Sequence, residues 1–357
     1  MTTDKHNKRP NVPPLRFPEF TDEWTETNIG SILSIGNGKD YKDLGDGNIP
    51  VFGTGGYMTS VNDYLMDGES VFIGRKGTIN KPSYYKGKFW TVDTLFYTHE
   101  FIGAVPRFVL YLFENIDWLK YNEASGVPSL SKSTIEKIKI NIPNTIEQKK
   151  ISAFISLIDR RIEVQSGLIN KLESLISGIG QRVFLHFNSF EKLGNVAKIT
   201  NGNSDVQDAI EIYESGLYPF YDRSDVIKYL NTYYLDKEAI IYAGEGSEFF
   251  PRYHNGKFAL HQRCYAIFDF KEEYLPKFIY YYMFTLNGYF VRNSVGSTVP
   301  SLRMGTFEKV NIPKVPVKQQ LYIIKVFDCL HKKLHQAKQT KRLFEMQKQY
   351  LLQQMFI

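Results

Sequence analysis

Along this chain of 357 residues the spacing of apolar positions alternates between two periods. Short runs rich in Val, Ile, Phe and Tyr, such as Val71-Phe72-Ile73 and Ile240-Ile241-Tyr242, are punctuated by Gly, Asn and Asp. That pattern predicts strands closed by tight turns. Further on, apolar residues fall three and four apart at Ile155, Ile158, Ile162, Ile169, Leu172, Ile176 and Ile179, with Gln165 as the interruption. A second such run reads Ile323, Phe327, Leu330, Leu334, Ala337, Phe344, Leu351 and Met355, broken at Lys341 and Lys348. Both predict long heptad-patterned helices of roughly 35 to 40 residues, about 50 to 60 Å each at 1.5 Å per residue. A solitary helix would leave its apolar stripe in water, so the two are expected to pack on each other. The expected order is globule, rod, globule, rod.

The second half of the chain repeats the first. Ile29-Gly30-Ser31-Ile32 through Ile35-Gly36-Asn37-Gly38 is echoed by Leu193-Gly194-Asn195-Val196 through Ile199-Thr200-Asn201-Gly202. Ile49-Pro50-Val51-Phe52 returns as Tyr218-Pro219-Phe220-Tyr221. The stretch from Val71 through Gly74-Arg75-Lys76-Gly77-Thr78 matches that from Ile240 through Ala243-Gly244-Glu245-Gly246-Ser247. Later, Gly126-Val127-Pro128-Ser129-Leu130 meets Thr298-Val299-Pro300-Ser301-Leu302, and Ile140-Asn141-Ile142-Pro143 meets Val310-Asn311-Ile312-Pro313. A shift of roughly 165 to 172 residues is the size of a domain, not of a solenoid unit. The glycines after the strands suit tight hairpins, and also loops that bring backbone and a basic side chain close to a ligand.

Charge and cysteine content narrow the partners. A net charge of +6 is compatible with a polyanion without requiring one. Two distant cysteines, Cys264 and Cys329, exclude a disulfide framework and a cysteine-rich zinc site. Met1 to Arg9 is polar, and no run of about 18 apolar residues appears, so a cytoplasmic protein with no membrane segment is expected.

Recognisable catalytic chemistry is missing. The Gly-Lys pairs at Gly38, Gly87 and Gly256 lack the spacing and the Ser or Thr of a nucleotide-binding P-loop. Neither Asn/Asp-Pro-Pro-Tyr/Phe nor Gly-x-Ser-x-Gly occurs. Glu147-Gln148-Lys149 has the acid-x-Lys spacing of metal nucleases but no acidic partner upstream, and reads better as a surface helix turn. His331 and His335 stand four apart, as metal ligands on one helix face can, yet no third ligand is evident; solvent-facing positions are the plainer reading. No catalytic and no metal site is expected.

Read with its particular residues, this architecture resembles the specificity subunits of type I restriction–modification enzymes. The opening Asn11-Val12-Pro13-Pro14-Leu15-Arg16-Phe17-Pro18-Glu19-Phe20 with Trp24 is similar to that family's N-terminal entry. Ile142-Pro143 through Ile146-Glu147-Gln148-Lys149-Lys150-Ile151 to Leu157-Ile158-Asp159 resembles the start of its central helix. A weaker copy runs from Ile312-Pro313 through Gln319-Gln320 to Phe327-Asp328, departing from the pattern with Val317-Lys318-Gln319 in place of Ile146-Glu147-Gln148. The likeness covers essentially the whole chain.

The resemblance implies an α+β fold of two β-rich target recognition domains, each followed by a long helix, with the helices paired as an antiparallel coiled coil. The expected segments are 1–22 at the N-terminus, 23–145 and 188–316 as the recognition domains, and 146–187 and 317–357 as the helices. Each domain would read one half of a split site in double-stranded DNA. The helices would set the gap and dock two methyltransferase subunits, which bind S-adenosylmethionine. Restriction and motor subunits using ATP would complete the complex, leaving this chain without a cofactor or a catalytic role.

Base reading calls for Arg, Lys, Asn, Gln, Ser or Thr on loops that reach base edges, with basic groups on phosphates. In the first domain the candidates are Arg75, Lys76 and Thr78 in the Gly-flanked loop, Lys39 and Lys42 near the Gly36–Gly38 turn, and Ser129 and Lys132 after the proline. In the second they are Arg223 and Ser224 after the Tyr-Pro-Phe-Tyr strand, Arg252 in an aromatic loop, Arg263, and Ser301 and Arg303. The different loop residues predict an asymmetric, bipartite site. Ile155, Ile158, Ile162, Ile169, Leu172, Ile176, Phe327, Leu330, Leu334, Phe344 and Leu351 are the expected helix-pairing residues, while Lys332, Lys333, Lys338, Lys341 and Arg342 make the second helix basic. Two other classes remain open: a protein-interaction scaffold of duplicated β-domains on a rod, and an enzyme such as a nuclease with an unfamiliar site.

Overall fold

The computed structural model describes residues 11–224 and 226–357; the polar stretch Met1 to Arg9 lies outside the described residues. The chain divides into two compact units, residues Met1–Ser166 with Thr340–Ile357, and residues Gly167–Gln339.

In the first unit the chain runs through β1 (Thr25–Asn28), α1 (Ile29–Ile32), β2 (Ser34–Asn37), β3 (Asp46–Gly53), β4 (Gly56–Val61), β5 (Met66–Gly74), β6 (Ser83–Thr91), β7 (Leu95–His99), α2 (Pro106–Asn115), α3 (Lys132–Lys137) and β8 (Lys139–Ile142), and enters the helix α4 (Thr145–Leu185). Six strands form a sheet in the order β2-β7-β5-β6-β3-β4, and β1 pairs with β8. All neighbours in the sheet are antiparallel except β3 and β6.

The second unit follows the same plan. Its elements are β9 (Phe190–Lys192), α5 (Leu193–Val196), β10 (Lys198–Asn201), β11 (Tyr218–Tyr221), β12 (Lys228–Leu230), β13 (Leu235–Ala243), β14 (Arg252–Leu260), β15 (Cys264–Phe268), α6 (Pro276–Phe284), α7 (Asn287–Arg292), α8 (Met304–Glu308), β16 (Asn311–Pro313) and α9 (Val317–Met355). The sheet order β10-β15-β13-β14-β11-β12 repeats that of the first unit, including a parallel pair, β11 with β14. Identical strand order and the same parallel and antiparallel pairings make the sequence repeat a structural duplication.

The long helices divide between the units rather than forming separate segments. In the first unit Ile151, Ile155 and Ile158 of α4 share a core with Leu351, Leu352, Met355 and Phe356 from α9 and its end, with Ile162 and Phe344 packed against it. Trp24, Phe108 and Tyr111 belong to the same core, so this stretch of the seam is helix on helix and helix on domain together. In the second unit Ile169 and Leu172 meet Leu330, Leu334 and Ala337, and Ile176 shares a core with Ile323 and Phe327. Rising numbers on α4 meet falling numbers on α9, as antiparallel pairing requires. The breaks in the second heptad series have local causes. Lys348 sits 2.7 Å from both Glu114 and Asp159, and Lys341 pairs with Glu345 one turn on at 3.5 Å. Across the seam, Lys338 of α9 pairs with Glu173 of α4 at 2.7 Å.

Two readings of residues on the long helices need correction. Glu147 and Gln148 are buried, not on a surface turn. Arg16 forms a bidentate pair with Glu147 at 2.7 Å, drawing the N-terminal segment onto the helix, and Trp24 donates to the same carboxylate. The buried Gln148 donates to the carbonyls of Pro143 and Gly103 and accepts from the amide of Val105. Gln320 does the same in the second unit, donating to Val315 and Glu273 and accepting from Leu275. Each glutamine therefore pins the loop leading into α2 or α6 to the first turn of a long helix. His331, expected to face solvent, instead packs against Tyr281 and Phe284, with its Nε2 buried.

Candidate nucleic-acid interface

The sequence places a Gly-flanked turn after β5 and after β13, and the fold brings each against a post-proline loop. In the first unit the amide of Leu130 donates to the carbonyl of Arg75, that of Gly77 to Pro128, and Lys76 bridges Ser129. In the second, Leu302 donates to Gly244, Gly246 to Pro300, and Glu245 bridges Ser301. A third strand end locks each clamp: the amide of Arg75 donates to Thr94, and that of Gly244 to Arg263. Gly77 takes φ of 88° and Gly246 a φ of 157°, in the region where a side chain is strained. The backbone of the clamp is thus common to both units, and only the side chains it displays differ.

Arg75, Lys76, Ser129 and Lys132 line one cleft of about 320 Å³ with Asn37, Phe96, Glu123, Leu130 and Ser131. Three cations and one carboxylate, Glu123, line it, and Lys132 also pairs with Glu136 at 3.6 Å. The Glu123 carboxylate is occupied by the hydroxyls of Ser131 and Thr134, which hold it below its usual range. The guanidinium of Arg75 lies 5.8 Å from the Phe96 ring centre, which props the cation over an apolar face. Thr78 is half-buried outside this cleft. Lys39 and Lys42 are exposed at the neighbouring turn, Lys42 facing Asp40 at 3.6 Å.

In the second unit Arg263, Ser301 and Arg303 gather at the equivalent clamp, with the Tyr265 hydroxyl donating to the carbonyl of Leu302 between them. Arg263 reaches both carboxylate oxygens of Glu245, at 3.0 and 3.2 Å. Arg223 is exposed, but Arg252 is not free in a loop as expected. It opens β14, and its guanidinium is spent on the carbonyls of Asp222 and Ser224, shaping the turn that displays Arg223. Lys228 completes this support on the Asp222 carboxylate at 3.0 Å. Glu123 and Glu245 are not among the sequence candidates, because base reading was expected from basic, amide and hydroxyl side chains and not from carboxylates. Aligning the repeats sets Glu245 opposite Lys76 and could have found it.

The pair His331 and His335 lines a separate cavity of about 650 Å³ with Phe250, Tyr281, Phe284 and Phe327. Among the described residues no three His, Cys, Asp or Glu side chains stand where they could hold a metal ion. No helix among them is long and apolar enough to cross a membrane.

Comparison with known proteins decides the family. The family described as type I restriction modification DNA specificity domain matches residues 21–174 and again residues 188–343, one match per repeat. The chain belongs to that family. A DNA specificity domain thus occurs twice, and each copy contains one clamp. The chain is 30% identical over 156 residues to the type I restriction enzyme EcoDI specificity subunit of Escherichia coli; the alignment spans 43% of this chain and 33% of that protein. The crystal structure of the type I restriction-modification system S subunit from M. genitalium shares its fold, with a TM-score of 0.73, 16% identity, and coverage of 97% and 99% of the two chains. A chain from a structure on complex assembly and conformational transition of the type I R-M system aligns at a TM-score of 0.51 and 12% identity, covering 95% and 98%.

Proposed function

We propose that this chain is the DNA-recognising, non-catalytic specificity subunit of a type I restriction–modification complex. Each unit reads one half of a bipartite site in double-stranded DNA, and the paired helices set the gap between the halves. The reading rests above all on the duplicated clamp, in which one backbone arrangement presents Arg75, Lys76, Ser129 and Lys132 in one copy and Arg263, Ser301 and Arg303 in the other. A shared frame with unlike side chains suits two different half-sites. Lys39, Lys42, Thr78, Arg223 and Ser224 flank these clamps as contacts to phosphate or base, while Arg252 acts through the turn it holds.

The helices also carry exposed apolar side chains outside the seam: Leu157, Val164, Leu343, Met346 and Tyr350 in the first unit, and Leu168, Leu175 and Tyr322 in the second. These are the surfaces offered to two methyltransferase subunits, which carry S-adenosylmethionine; restriction and motor subunits use ATP. The complex works on cytoplasmic DNA. Membership in the DNA specificity family weighs against a scaffold for other proteins.

The test is to co-express the chain with its methyltransferase subunit, purify the complex and select from random duplex DNA. Two short fixed blocks separated by a constant gap are expected, with affinity falling steeply as salt rises. Binding without sequence enrichment would overturn the proposal.

A further inference from the structure

The two clamps carry opposite charge at one position. Where the first unit bridges Ser129 with Lys76, the second bridges Ser301 with Glu245. A carboxylate on a surface that meets a polyanion is repelled unless a neighbouring cation offsets its charge or the DNA offers it a hydrogen-bond donor. In the major groove the donors are exocyclic amines, and Glu pairs with the N4 amine of cytosine, whereas Arg pairs with O6 and N7 of guanine. Glu245 and Arg263 present an acceptor beside a donor, since one Arg263 nitrogen lies 3.0 and 3.2 Å from the two carboxylate oxygens. A G·C pair carries the complementary set, guanine acceptors beside the cytosine amine. The carboxylate has about four acceptor positions, so those not used by Arg263 remain for a base. The glutamate side chain is 22% exposed and the arginine 66%, so the acceptor is held by the clamp while its partner reaches outward.

Resting on the DNA-reading function above, we propose that Glu245 is a specificity-determining residue that fixes a cytosine in the second unit's half-site, with Arg263 on the guanine paired to it. The first unit, with Arg75, Lys76 and Lys132 around its cleft, has the donor-rich counterpart and reads guanine there. Charge inversion on a common backbone is the device that makes the two half-sites unlike.

The experiment selects duplexes with the methyltransferase complex of the wild-type chain, of Lys76→Ala, of Glu245→Gln and of Glu245→Ala. The Lys76→Ala variant identifies the first unit's block, because only that block relaxes. The Glu245→Gln side chain keeps the shape and still accepts from Arg263, but it also donates and so suits the N6 and N7 edge of adenine. At one position of the other block, cytosine is expected to give way to adenine, with loss of a roughly 5- to 150-fold preference. The Glu245→Ala variant should leave that position unspecified, and the first block and the gap should stay as in the wild type. Failure of the wild-type chain to enrich a split site would overturn the DNA-reading function itself. A split site whose second block lacks a fixed cytosine, or is unchanged in Glu245→Gln, would overturn the role of Glu245 alone. Thermal unfolding of each variant checks that the fold survives.

Discussion

Replacing Gln148 by Leu tests how each recognition domain is held to its helix. The glutamine is fully buried and donates to the carbonyls of Pro143 at 2.8 Å and Gly103 at 3.0 Å, while accepting from the Val105 amide at 2.8 Å. Leucine fills similar space and satisfies none of the three. Each backbone group left without a partner in the interior costs about 1–3 kcal/mol. Gly103 and Val105 lie near the surface, where water can replace part of the loss, and leucine gains from apolar burial. The net expectation is a destabilisation of about 2–4 kcal/mol. Urea unfolding followed by tryptophan fluorescence is the suitable assay, because Trp24, Trp90 and Trp118 all lie in the first unit. The tryptophan midpoint should fall in Gln148→Leu. In Gln320→Leu it should hold, while far-UV circular dichroism records a matching loss in the second unit. A cost below about 1 kcal/mol would refute the socket role, since even one orphaned group should cost that much. Equal movement of the tryptophan transition by both variants would refute a socket that acts within its own unit.

Three further outcomes are expected. Lys348→Met strands the carboxylates of Glu114 and Asp159, each 2.7 Å from the ammonium, and at neutral pH should cost about 1–3 kcal/mol after allowing for partial exposure. Burial raises the Glu114 carboxyl above its ordinary value, so the deficit should shrink as pH falls through that raised value; unfolding at pH 7 and pH 4 would expose a constant deficit as contrary. Phe356→Ala removes a ring 5.2 Å from Phe108 and 6.1 Å from Trp24, and should lower first-unit stability by about 3–5 kcal/mol, read from the tryptophan transition. A thiol reagent at pH 8 should label Cys329 in the folded chain and spare Cys264, whose thiol burial pushes up to about 11; mass spectrometry showing rapid double labelling would count against that.

Periodicity made the helices legible, since a stripe that must leave water leaves its spacing in the sequence. The duplication was equally plain, and with it the clamp loops, because their glycines and prolines are demanded by backbone geometry in both copies. Side-chain commitments were not visible. Arg252 resembles any basic residue until Asp222 and Ser224 turn their carbonyls toward it. Glu147 and Gln148 look solvated because nothing local announces Arg16, more than a hundred positions earlier, or the loop at Gly103. Lys348 reads as a flaw in a heptad because its partners Glu114 and Asp159 belong to other elements. Long-range pairing of polar groups has no period, and a single sequence does not record it.

The first unit is assembled from two stretches of chain separated by the whole of the second. Trp24 and Phe108 wait for Phe356, and the Leu15 amide waits for the Gln354 carbonyl. A ribosome adding roughly 5–20 residues per second needs on the order of 10–35 s to traverse Gly167–Gln339, and throughout that time the earlier core lacks its lid. The later unit is continuous and can close first. The order of maturation therefore runs against the order of synthesis, and the nascent chain carries an uncovered aromatic surface that a chaperone or protease would meet first.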